Sequence, residues 1–350
     1  GRKAKLKVRI REMADELIKV AAERALRKGE VIRPTDGLYN EFCARFPYTE
    51  TDDQLRAIAD IITDLSSGRP MDRLICGDVG FGKTEVALRS AFLAAMEGYQ
   101  VAIVAPTTLL ARQHYKTFSE RFKGLAIKVG HLSRLVTQKD QKLTREEIAT
   151  GDCQIVIGTH AVLGKLVHFN NLGLLVIDEE QHFGVAHKEQ LKKIKNNVHV
   201  LTLTATPIPR TLQLAMSGIQ GLSLIATPPV DRLAIRTFVL PMDDLVIREA
   251  LLREHYRGGQ SFYVCPRISD LKEISELLTE LVPEVKVITA HGKMAPGQIE
   301  DVMNAFYDGA YDVLLSTTIV ESGLDIPTAN TMIIHRADNY GLAQLYQLRG

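Results

Sequence analysis

Apolar and charged positions alternate with helical spacing at the start of the chain. Between residues 4 and 28, apolar side chains recur every three or four positions, and Arg, Lys, Glu and Asp fill the positions between them. Gly29 follows, where a helix commonly ends. The pattern predicts one long amphipathic helix with a charged outer face. Its apolar positions are Leu6, Ile10, Met13, Ala14, Leu17, Ala21 and Ala25.

From residue 46 onward, runs rich in Val, Ile and Leu alternate with helical patterns. The runs lack a strict apolar-polar alternation, which indicates strands buried on both faces and therefore parallel sheets flanked by helices. Ten such runs predict two sheets. They are DRLIC (72–76), VAIVAP (101–106), QIVIG (154–158), LGLLVID (172–178), HVLTLTA (199–205), RTFVLP (236–241), SFYVCP (261–266), KVITAHG (286–292), YDVLLST (311–317) and TMIIHRA (331–337).

A break between the two predicted sheets falls at about residue 230. Pro228 and Pro229 interrupt the apolar pattern there, and a new run begins shortly afterwards. We therefore predict a connector helix and linker over residues 1–45, a first α/β domain over 46–230 and a second over 231–350. A chain of 350 residues is also longer than a single hydrophobic core usually supports.

Composition and charge limit the classes of protein without selecting one. The chain has 45% apolar and 24% charged residues and a net charge of +1, so a polyanionic partner would have to be held by local groups rather than by an overall field. The four cysteines are far apart and predict neither a zinc site nor a disulfide framework. No apolar run has the length of a membrane span, and no signal peptide is recognisable. We expect a protein of a reducing, cytoplasmic compartment with no membrane partner.

The segment Gly77-Asp78-Val79-Gly80-Phe81-Gly82-Lys83-Thr84 fits the phosphate-binding pattern G-x-x-x-x-G-K-[ST]. It lies between the predicted strand DRLIC and a helical pattern, as such a loop should. Its glycines let backbone N–H groups converge on phosphate oxygens, and a helix N-terminus adds positive potential. Lys83 is expected to reach the β and γ phosphates, and Thr84 to offer its hydroxyl to Mg²⁺. The nucleotide-binding prediction covers Gly77, Asp78, Gly80, Gly82, Lys83 and Thr84.

A nucleotide-hydrolysing site also needs carboxylates, and a second predicted strand supplies them at its end. Asp178 ends the run LGLLVID and Glu179 follows it. Asp178 can hold Mg²⁺, and Glu179 is placed to polarise an attacking water. The run LTLTATPIPRT (201–211) ends in hydroxyl side chains that could hydrogen-bond these carboxylates, or simply form a strand exit. Lys83, Asp178 and Glu179 are the predicted catalytic residues.

The order of these motifs resembles that of helicase superfamily two. The supporting segments are PTTLLARQHY (106–115), IGTH (157–160), DEEQ (178–181), TATP (204–207), AHGKM (290–294) and STTIVESGLDIP (316–327). More narrowly, FPYTETDDQ, DRLICGDVGFGKTEVA, TATPIPRT, ATPPVDRLAI and GLAQLYQLRG look like the bacterial transcription-repair-coupling factors. The resemblance covers nearly the whole chain. It implies two RecA-like parallel-sheet domains in tandem, with the first helix as a connector.

The resemblance assigns further roles to matching positions. Gln54 looks like the residue that reads the adenine edge, with Phe46 packing on the ring, so ATP is expected as the nucleotide. From its place at a polar helix start alone, Gln54 would be an exposed amide. Gly323 and Asp325 resemble second-domain residues at the nucleotide cleft. The positions that resemble nucleic-acid backbone contacts are Thr107, Thr108, Gly158, Thr159, His160, Thr317 and Thr318.

The implied function is that of an ATP-driven motor on double-stranded DNA that displaces stalled RNA polymerase and recruits nucleotide excision repair. RNA polymerase and the damage-recognition protein would be bound through modules outside this chain. A RecG-like fork-remodelling helicase or an RNA helicase is an alternative with the same chemistry. The D-E-A-D and S-A-T motifs of the common RNA class are absent, since the chain has DEEQ and TAT.

Two departures from the family pattern qualify these expectations. His182 stands where the family usually has Arg, which predicts weaker coupling at neutral pH. The last motor motif, Q-x-x-G-R-x-G-R, is present only as Gln347 and Gly350. Both arginines expected at the γ-phosphate would follow Gly350, so the chain alone is expected to be C-terminally truncated, to bind ATP and to hydrolyse it poorly. A nucleotide-binding module with little hydrolysis is therefore a further alternative for the fragment.

Overall fold

The structure of the protein is a computed structural model. It describes residues 26–34, 37–195, 198–206, 220–230, 235–318 and 326–349. The predicted helix over residues 4–28 falls almost entirely outside the described residues. Within the described ranges, none of the helices combines the length and the apolar character that crossing a bilayer requires.

Two compact units make up the chain, Gly1–Arg232 and Leu233–Gly350. The described strands of the first unit form one seven-stranded sheet in the order β3-β4-β2-β5-β6-β1-β7, with every neighbouring pair parallel. Its strands are β1 Asp72–Gly77, β2 Gln100–Val104, β3 Val129–Leu132, β4 Ile155–Gly158, β5 Leu172–Asp178, β6 His199–Thr204 and β7 Gly221–Ile225. Its helices are α1 Leu38–Ala44, α2 Asp52–Ser66, α3 Lys83–Met96, α4 Thr108–Arg121, α5 Gln138–Thr150 and α6 Val185–Lys195.

The second unit contains a four-stranded parallel sheet in the order β11-β8-β10-β9. Its strands are β8 Gln260–Val264, β9 Val287–Ala290, β10 Val313–Ser316 and β11 Ala329–Ile334. Its helices are α7 Asp244–Tyr256, α8 Ile268–Leu281, α9 Pro296–Tyr307 and α10 Leu342–Arg349. The order repeats that of β5-β2-β4-β3 in the first unit, so the second sheet has the topology of four neighbouring strands of the first.

A buried glutamine marks the same position in both sheets. Gln100 begins β2, and its amide nitrogen donates to the carbonyls of Ile148 and Cys153, both at 2.9 Å. Gln260 begins β8, and its amide nitrogen donates in the same way to two carbonyls, at 2.7 and 2.6 Å. Each amide ties the start of its strand to the last turns of a helix and to the loop that follows that helix. Such buried polar groups are stable only when they are hydrogen-bonded.

The two units also share an unusual backbone bend. Among the described residues other than glycine, Glu179 and Arg336 are the two with positive φ, at 50° and 49°. Glu179 directly follows β5, whereas Arg336 lies two residues beyond β11, and each is followed by a single 3₁₀ turn. Because β5 and β11 occupy equivalent places in the two sheet orders, the bend is a repeated feature of the fold.

Nine of the ten predicted strands are present, and one is wrong. Residues 235–243 contain no strand, and Phe238 and Val239 are 76% and 90% exposed. An apolar run with high β propensity forms a strand only beside a partner, and the described second sheet provides none for this segment. The sequence also missed β3 and β7, which are short edge strands with partly polar patterns.

The core of the first unit lies on both faces of its sheet, as the continuous apolar runs predicted. All five residues of β2 are buried, and α3 is buried along most of its length. Phe42 from α1 stacks on Phe92 of α3 with ring centroids 4.3 Å apart. This aromatic contact fixes the segment before α2 against the helix that follows the phosphate-binding loop.

Gly158 should tolerate no side chain, because β3 and β4 approach too closely there. A Cβ atom at Gly158 would lie 1.9 Å from the carbonyl oxygen of Leu132. We expect Gly158→Ala to lower the free energy of unfolding by about 2 kcal/mol or more, as overpacking against backbone does. The measurement is urea-induced unfolding. The control is Gly184→Ala, whose Cβ would lie 3.9 Å from its nearest neighbour, Nδ1 of His187. Equal stability of the two variants would contradict the packing argument.

Candidate nucleotide and nucleic-acid site

The glycine-rich loop joins the end of β1 to the start of α3, as predicted. Gly82 is the residue before the helix and has a φ of 83°, which an L side chain rarely adopts. A Cβ atom there would also lie 2.2 Å from Nε2 of Gln54. Glycine is therefore required at this position for both its conformation and its lack of a side chain. The bend directs the N-terminus of α3 toward the loop, where a phosphate would be bound.

Lys83 folds back over the loop that precedes it. Its Nζ donates to the carbonyl oxygens of Gly77 at 2.6 Å and Asp78 at 2.9 Å. Burial lowers the pKa of Lys83, and the carboxylates of Glu179 and Asp178 act in the opposite direction. The arrangement provides one cation and two anions at a single edge of the sheet.

The sheet order explains why these groups meet. Asp178 ends β5 and Glu179 follows it, while the phosphate-binding loop follows β1. The strands β5, β6 and β1 are consecutive neighbours and all parallel, so their carboxyl ends lie at the same edge. Ligands of open parallel sheets bind at this edge.

The end of β6 holds the carboxylate of Glu179. Its Oε1 accepts from the backbone N–H of Ala205 at 2.7 Å, and its Oε2 accepts from the Thr204 hydroxyl at 3.3 Å and from the amide of Gln181. The Thr204 hydroxyl also accepts from the N–H of Thr206 at 3.1 Å. The segment TATP, singled out as a possible carboxylate partner, is therefore in direct contact with Glu179. The contact from Gln181 was missed, although it belongs to the recognised DEEQ motif.

Asp178 has a partner that the sequence did not suggest. Nε2 of His114, on α4, lies 2.8 Å from Oδ2 of Asp178, and both side chains are 12% exposed. His114 falls within the recognised segment PTTLLARQHY, but the two residues are 64 positions apart. Only the fold brings them together.

The donors near the loop suit a hard cation that is shared with a nucleotide. Thr84 is the second residue of α3 and offers a hydroxyl, and Asp178 offers a carboxylate. Within the described ranges, no group of three or more His, Cys, Asp or Glu side chains could hold a metal ion by itself. Mg²⁺ in nucleotide sites typically takes one or two protein oxygens and completes its shell with phosphates and water. The donor set fits the predicted Mg²⁺ site on that basis.

Gln54 is buried rather than exposed, so the expectation from its helix-start position is wrong. Its amide nitrogen donates to the carbonyl of Phe81 in the phosphate-binding loop at 2.8 Å. Its Oε1 accepts from the N–H of Thr51 at 3.0 Å, which completes a capping box at the start of α2. Both ends of the amide are engaged within the protein. The predicted reading of adenine by Gln54 requires an exchange of these partners and stays a prediction.

Phe46 is half-buried and packs on two arginines. The guanidinium carbons of Arg89 and Arg121 lie 5.8 and 5.7 Å from its ring centroid. Both arginines also bind the buried carboxylate of Glu85, with Nε of Arg89 at 2.8 Å and Nη2 of Arg121 at 2.9 Å. Burial raises the pKa of Glu85, and the hydrogen bond from Arg89 and the charge of Arg121 oppose the rise. Packing of Phe46 on an adenine ring stays a prediction.

The predicted nucleic-acid contacts of the first unit follow the ends of β2 and β4. Thr107 is half-buried and caps α4, accepting from the N–H of Leu110 at 3.3 Å. Thr108 and Thr159 are buried, and Gly158 packs against β3. His160 is exposed, and its ring stacks on His187 with centroids 4.2 Å apart. Thr107 and His160 are therefore more accessible to a nucleic-acid backbone than Thr108 and Thr159.

The second unit contributes fewer described candidates. Thr317 and Thr318 follow β10, and Thr317 is buried, with its N–H bonded to the Ala290 carbonyl at 3.4 Å. Thr318 is exposed. Gly323 and Asp325 lie outside the described residues, so their predicted roles at the nucleotide cleft stay predictions. His182, the departure from the family pattern, is exposed.

Two family models match the chain. The DEAD/DEAH box helicase model matches residues 51–215, and the model of the helicase conserved C-terminal domain matches residues 244–350. The first match contains the phosphate-binding loop, Asp178 and Glu179. The second covers most of the second unit.

Relatives and a solved structure extend these matches. The transcription-repair-coupling factor of Rickettsia prowazekii is 56% identical over 99% of this chain, and that of Escherichia coli is 50% identical over 98%. The chain spans only 31% and 30% of the lengths of those two proteins. The structure of RecG bound to a three-way DNA junction has a TM-score of 0.81 and 36% identity, and the match covers 96% of this chain and 46% of that chain. The predicted fold of two RecA-like parallel-sheet domains in tandem is confirmed.

Loss of the Gln54 amide should weaken nucleotide binding. Gln54→Leu removes the hydrogen bond to the Phe81 carbonyl, and the loss of a buried hydrogen bond of this kind costs about 1 kcal/mol. We expect the Kd for a fluorescent ATP analogue to rise by about 10-fold, since the cost falls on the loop that would bind phosphate. The measurement is fluorescence titration. The control is Gln138→Leu, the same change at an exposed glutamine of α5. An unchanged Kd in a folded Gln54→Leu protein would show that the loop does not need this support.

Proposed function

The chain belongs to the helicase family of the transcription-repair-coupling factors, and we propose that it is the ATP-dependent double-stranded DNA translocase motor of such a factor. The observation that carries the proposal is the placement of Lys83, Asp178 and Glu179 at one edge of a parallel sheet, in a chain that matches those factors over nearly its whole length. Helicase domains of this type bind nucleotides. ATP, Mg²⁺ and DNA are our proposals for this chain.

Binding of the phosphates would use groups that are already in position. Lys83 would exchange the carbonyls of Gly77 and Asp78 for the β and γ phosphate oxygens, and the N–H groups around Gly80 and Gly82 would donate to the same phosphates. Thr84 and Asp178 would hold Mg²⁺, which neutralises charge on the phosphates when it is bound. The hydrogen bonds from the ammonium to the loop carbonyls, and the two carboxylates at the same edge of the sheet, support this assignment.

Hydrolysis would depend on Glu179 as the residue that polarises the attacking water. Its carboxylate is held by Ala205, Thr204 and Gln181, so its orientation is fixed before a substrate arrives. Hydrogen bonds to an ionised carboxylate also make it a weaker base. A small movement at the end of β6 would change how strongly Glu179 polarises water.

DNA would be held along its backbone rather than read at its bases. Thr107 and His160 in the first unit and Thr318 in the second offer donors of the kind that contact phosphate. Such contacts carry no sequence information, which suits a motor that must pass over any sequence. In the full-length protein, RNA polymerase and an excision-repair damage-recognition protein would be bound through modules outside this chain.

A RecG-like fork-remodelling helicase is the second candidate. The similarity to RecG favours it, with 36% identity to the structure on a three-way DNA junction. The identities of 50% and 56% to the coupling factors favour the first candidate over it. The two functions use the same ATP chemistry and differ in the DNA substrate, so they can be separated by experiment.

Substitutions of Lys83 and Glu179 should both abolish ATP hydrolysis, but only the substitution of Lys83 should also abolish ATP binding. In the full-length protein, we expect Lys83→Ala to lose both ATP affinity and DNA-stimulated hydrolysis. We expect Glu179→Gln to keep ATP affinity within about 3-fold and to lower kcat by about 100-fold or more, because only the water-polarising group is changed. The measurements are nucleotide titration and steady-state ATPase assays with duplex DNA. Normal turnover by either variant would contradict the assigned role of that residue.

The DNA reaction itself should distinguish the two candidates. We expect the full-length protein to displace a triplex-forming strand from duplex DNA in an ATP-dependent way, and to release a stalled RNA polymerase. The Lys83→Ala variant is the matched negative control for both assays. Separation of a forked duplex without release of polymerase would favour the RecG-like alternative.

A further inference from the structure

His114 is placed to control the geometry of the proposed metal ligand. It lies on α4 and directs Nε2 to Oδ2 of Asp178, at 2.8 Å. An ionised carboxylate only accepts hydrogen bonds, so Nε2 is the donating nitrogen. Among the described residues, the other oxygen of Asp178 accepts no side-chain hydrogen bond. A donor on one oxygen fixes the carboxylate plane and leaves the other oxygen for a cation.

The helix that carries His114 begins at a proposed DNA contact. Thr107 caps α4, and the helix runs for 14 residues from Thr108 to Arg121. Leu110 and Phe118 are buried, which ties α4 to the sheet along its length. A short, packed helix moves as one body, so a displacement at its first turn also displaces His114.

The far end of α4 makes a second contact with the nucleotide site. Arg121 binds Oε1 of Glu85 through Nη2 at 2.9 Å, and the side chains are 9% and 4% exposed. Glu85 lies in the first turn of α3, next to Thr84. The same helix therefore touches the segment that would bind phosphate and the strand end that would bind Mg²⁺.

We propose that α4 transmits DNA binding to the metal site, with His114 as the positioning residue that orients Asp178. DNA held at the start of α4 would fix the helix, and the His114–Asp178 hydrogen bond would then hold the carboxylate in its metal-binding orientation. The inference rests on the proposed function. It adds to that function a positioning residue, His114, and a route through α4 that couples DNA binding to the metal site within the first unit.

The test compares two amides at position 114. The terminal nitrogen of Gln reaches about as far from the backbone as Nε2 of His, whereas that of Asn is one methylene group shorter. In the full-length protein, His114→Gln preserves the hydrogen bond to Asp178, and His114→Asn loses it. Both variants are polar and uncharged, and urea-induced unfolding checks that each of them is folded. His168→Asn, at an exposed histidine in the segment between β4 and β5, is the control for the substitution itself.

The first measurement is metal affinity, which needs no turnover. Mn²⁺ binding in the presence of a non-hydrolysable ATP analogue is followed by electron paramagnetic resonance. We expect His114→Asn to weaken Mn²⁺ binding by about 10-fold, as loss of a partner to a metal ligand commonly does, and His114→Gln to stay within about 3-fold of the native protein. Equal Mn²⁺ affinity in the Asn and Gln variants would overturn the positioning role.

The second measurement is coupling to DNA. At saturating Mg²⁺, where weaker metal binding by itself no longer limits the rate, we expect His114→Asn to lower the DNA-stimulated kcat by about 10-fold and the kcat without DNA by less than about 2-fold, with KM for ATP and the affinity for DNA also changed by less than about 2-fold. A variant that loses kcat equally with and without DNA would contradict transmission through α4. If the native protein shows no stimulation by DNA, the proposed function fails, while the Mn²⁺ measurement still decides the role of His114.

Discussion

Parallel pairing of the strands is the constraint on which the candidate site depends. Because β5, β6 and β1 all run in the same direction, the segments that follow them leave the sheet at one edge. The phosphate-binding loop and the Asp178–Glu179 pair meet there, although about a hundred residues separate them in the sequence. The order also places β6 between the other two strands. The end of β6 therefore lies beside the ends of β5 and β1. As a result, Thr204 and Ala205 hydrogen-bond the carboxylate of Glu179.

Buried polar side chains then fix the loops at that edge. Gln54 joins the start of α2 to the phosphate-binding loop, and Glu85 joins α3 to α4 through Arg121. Each of these groups would be costly to bury without its partners. Their hydrogen bonds therefore specify one loop arrangement.

The sequence predicted the features that are local. The phosphate-binding loop is contiguous, and Asp178 and Glu179 follow an apolar strand directly, so pattern and spacing sufficed. The contacts of Gln54 and His114 reach across 27 and 64 residues, and no local pattern encodes them. For the segment 236–241, the local pattern predicted a strand that is not present. Its apolar pattern is that of a strand, but a strand also needs a neighbour with open hydrogen-bonding groups. Edge strands β3 and β7 escaped prediction because their exposure to solvent weakens the apolar pattern.

Glu179 and Arg336 have the same left-handed backbone conformation, although only Glu179 belongs to the candidate catalytic site. An L residue in this conformation usually costs about 1 kcal/mol or more, so its presence is often treated as a sign of an active centre. Here one copy carries an acid beside the phosphate-binding loop, and the other carries an exposed base in a sheet without such a loop. The bend therefore accompanies the shared strand order and not the catalytic chemistry. Only the bend in the first unit places a carboxylate beside the phosphate-binding loop.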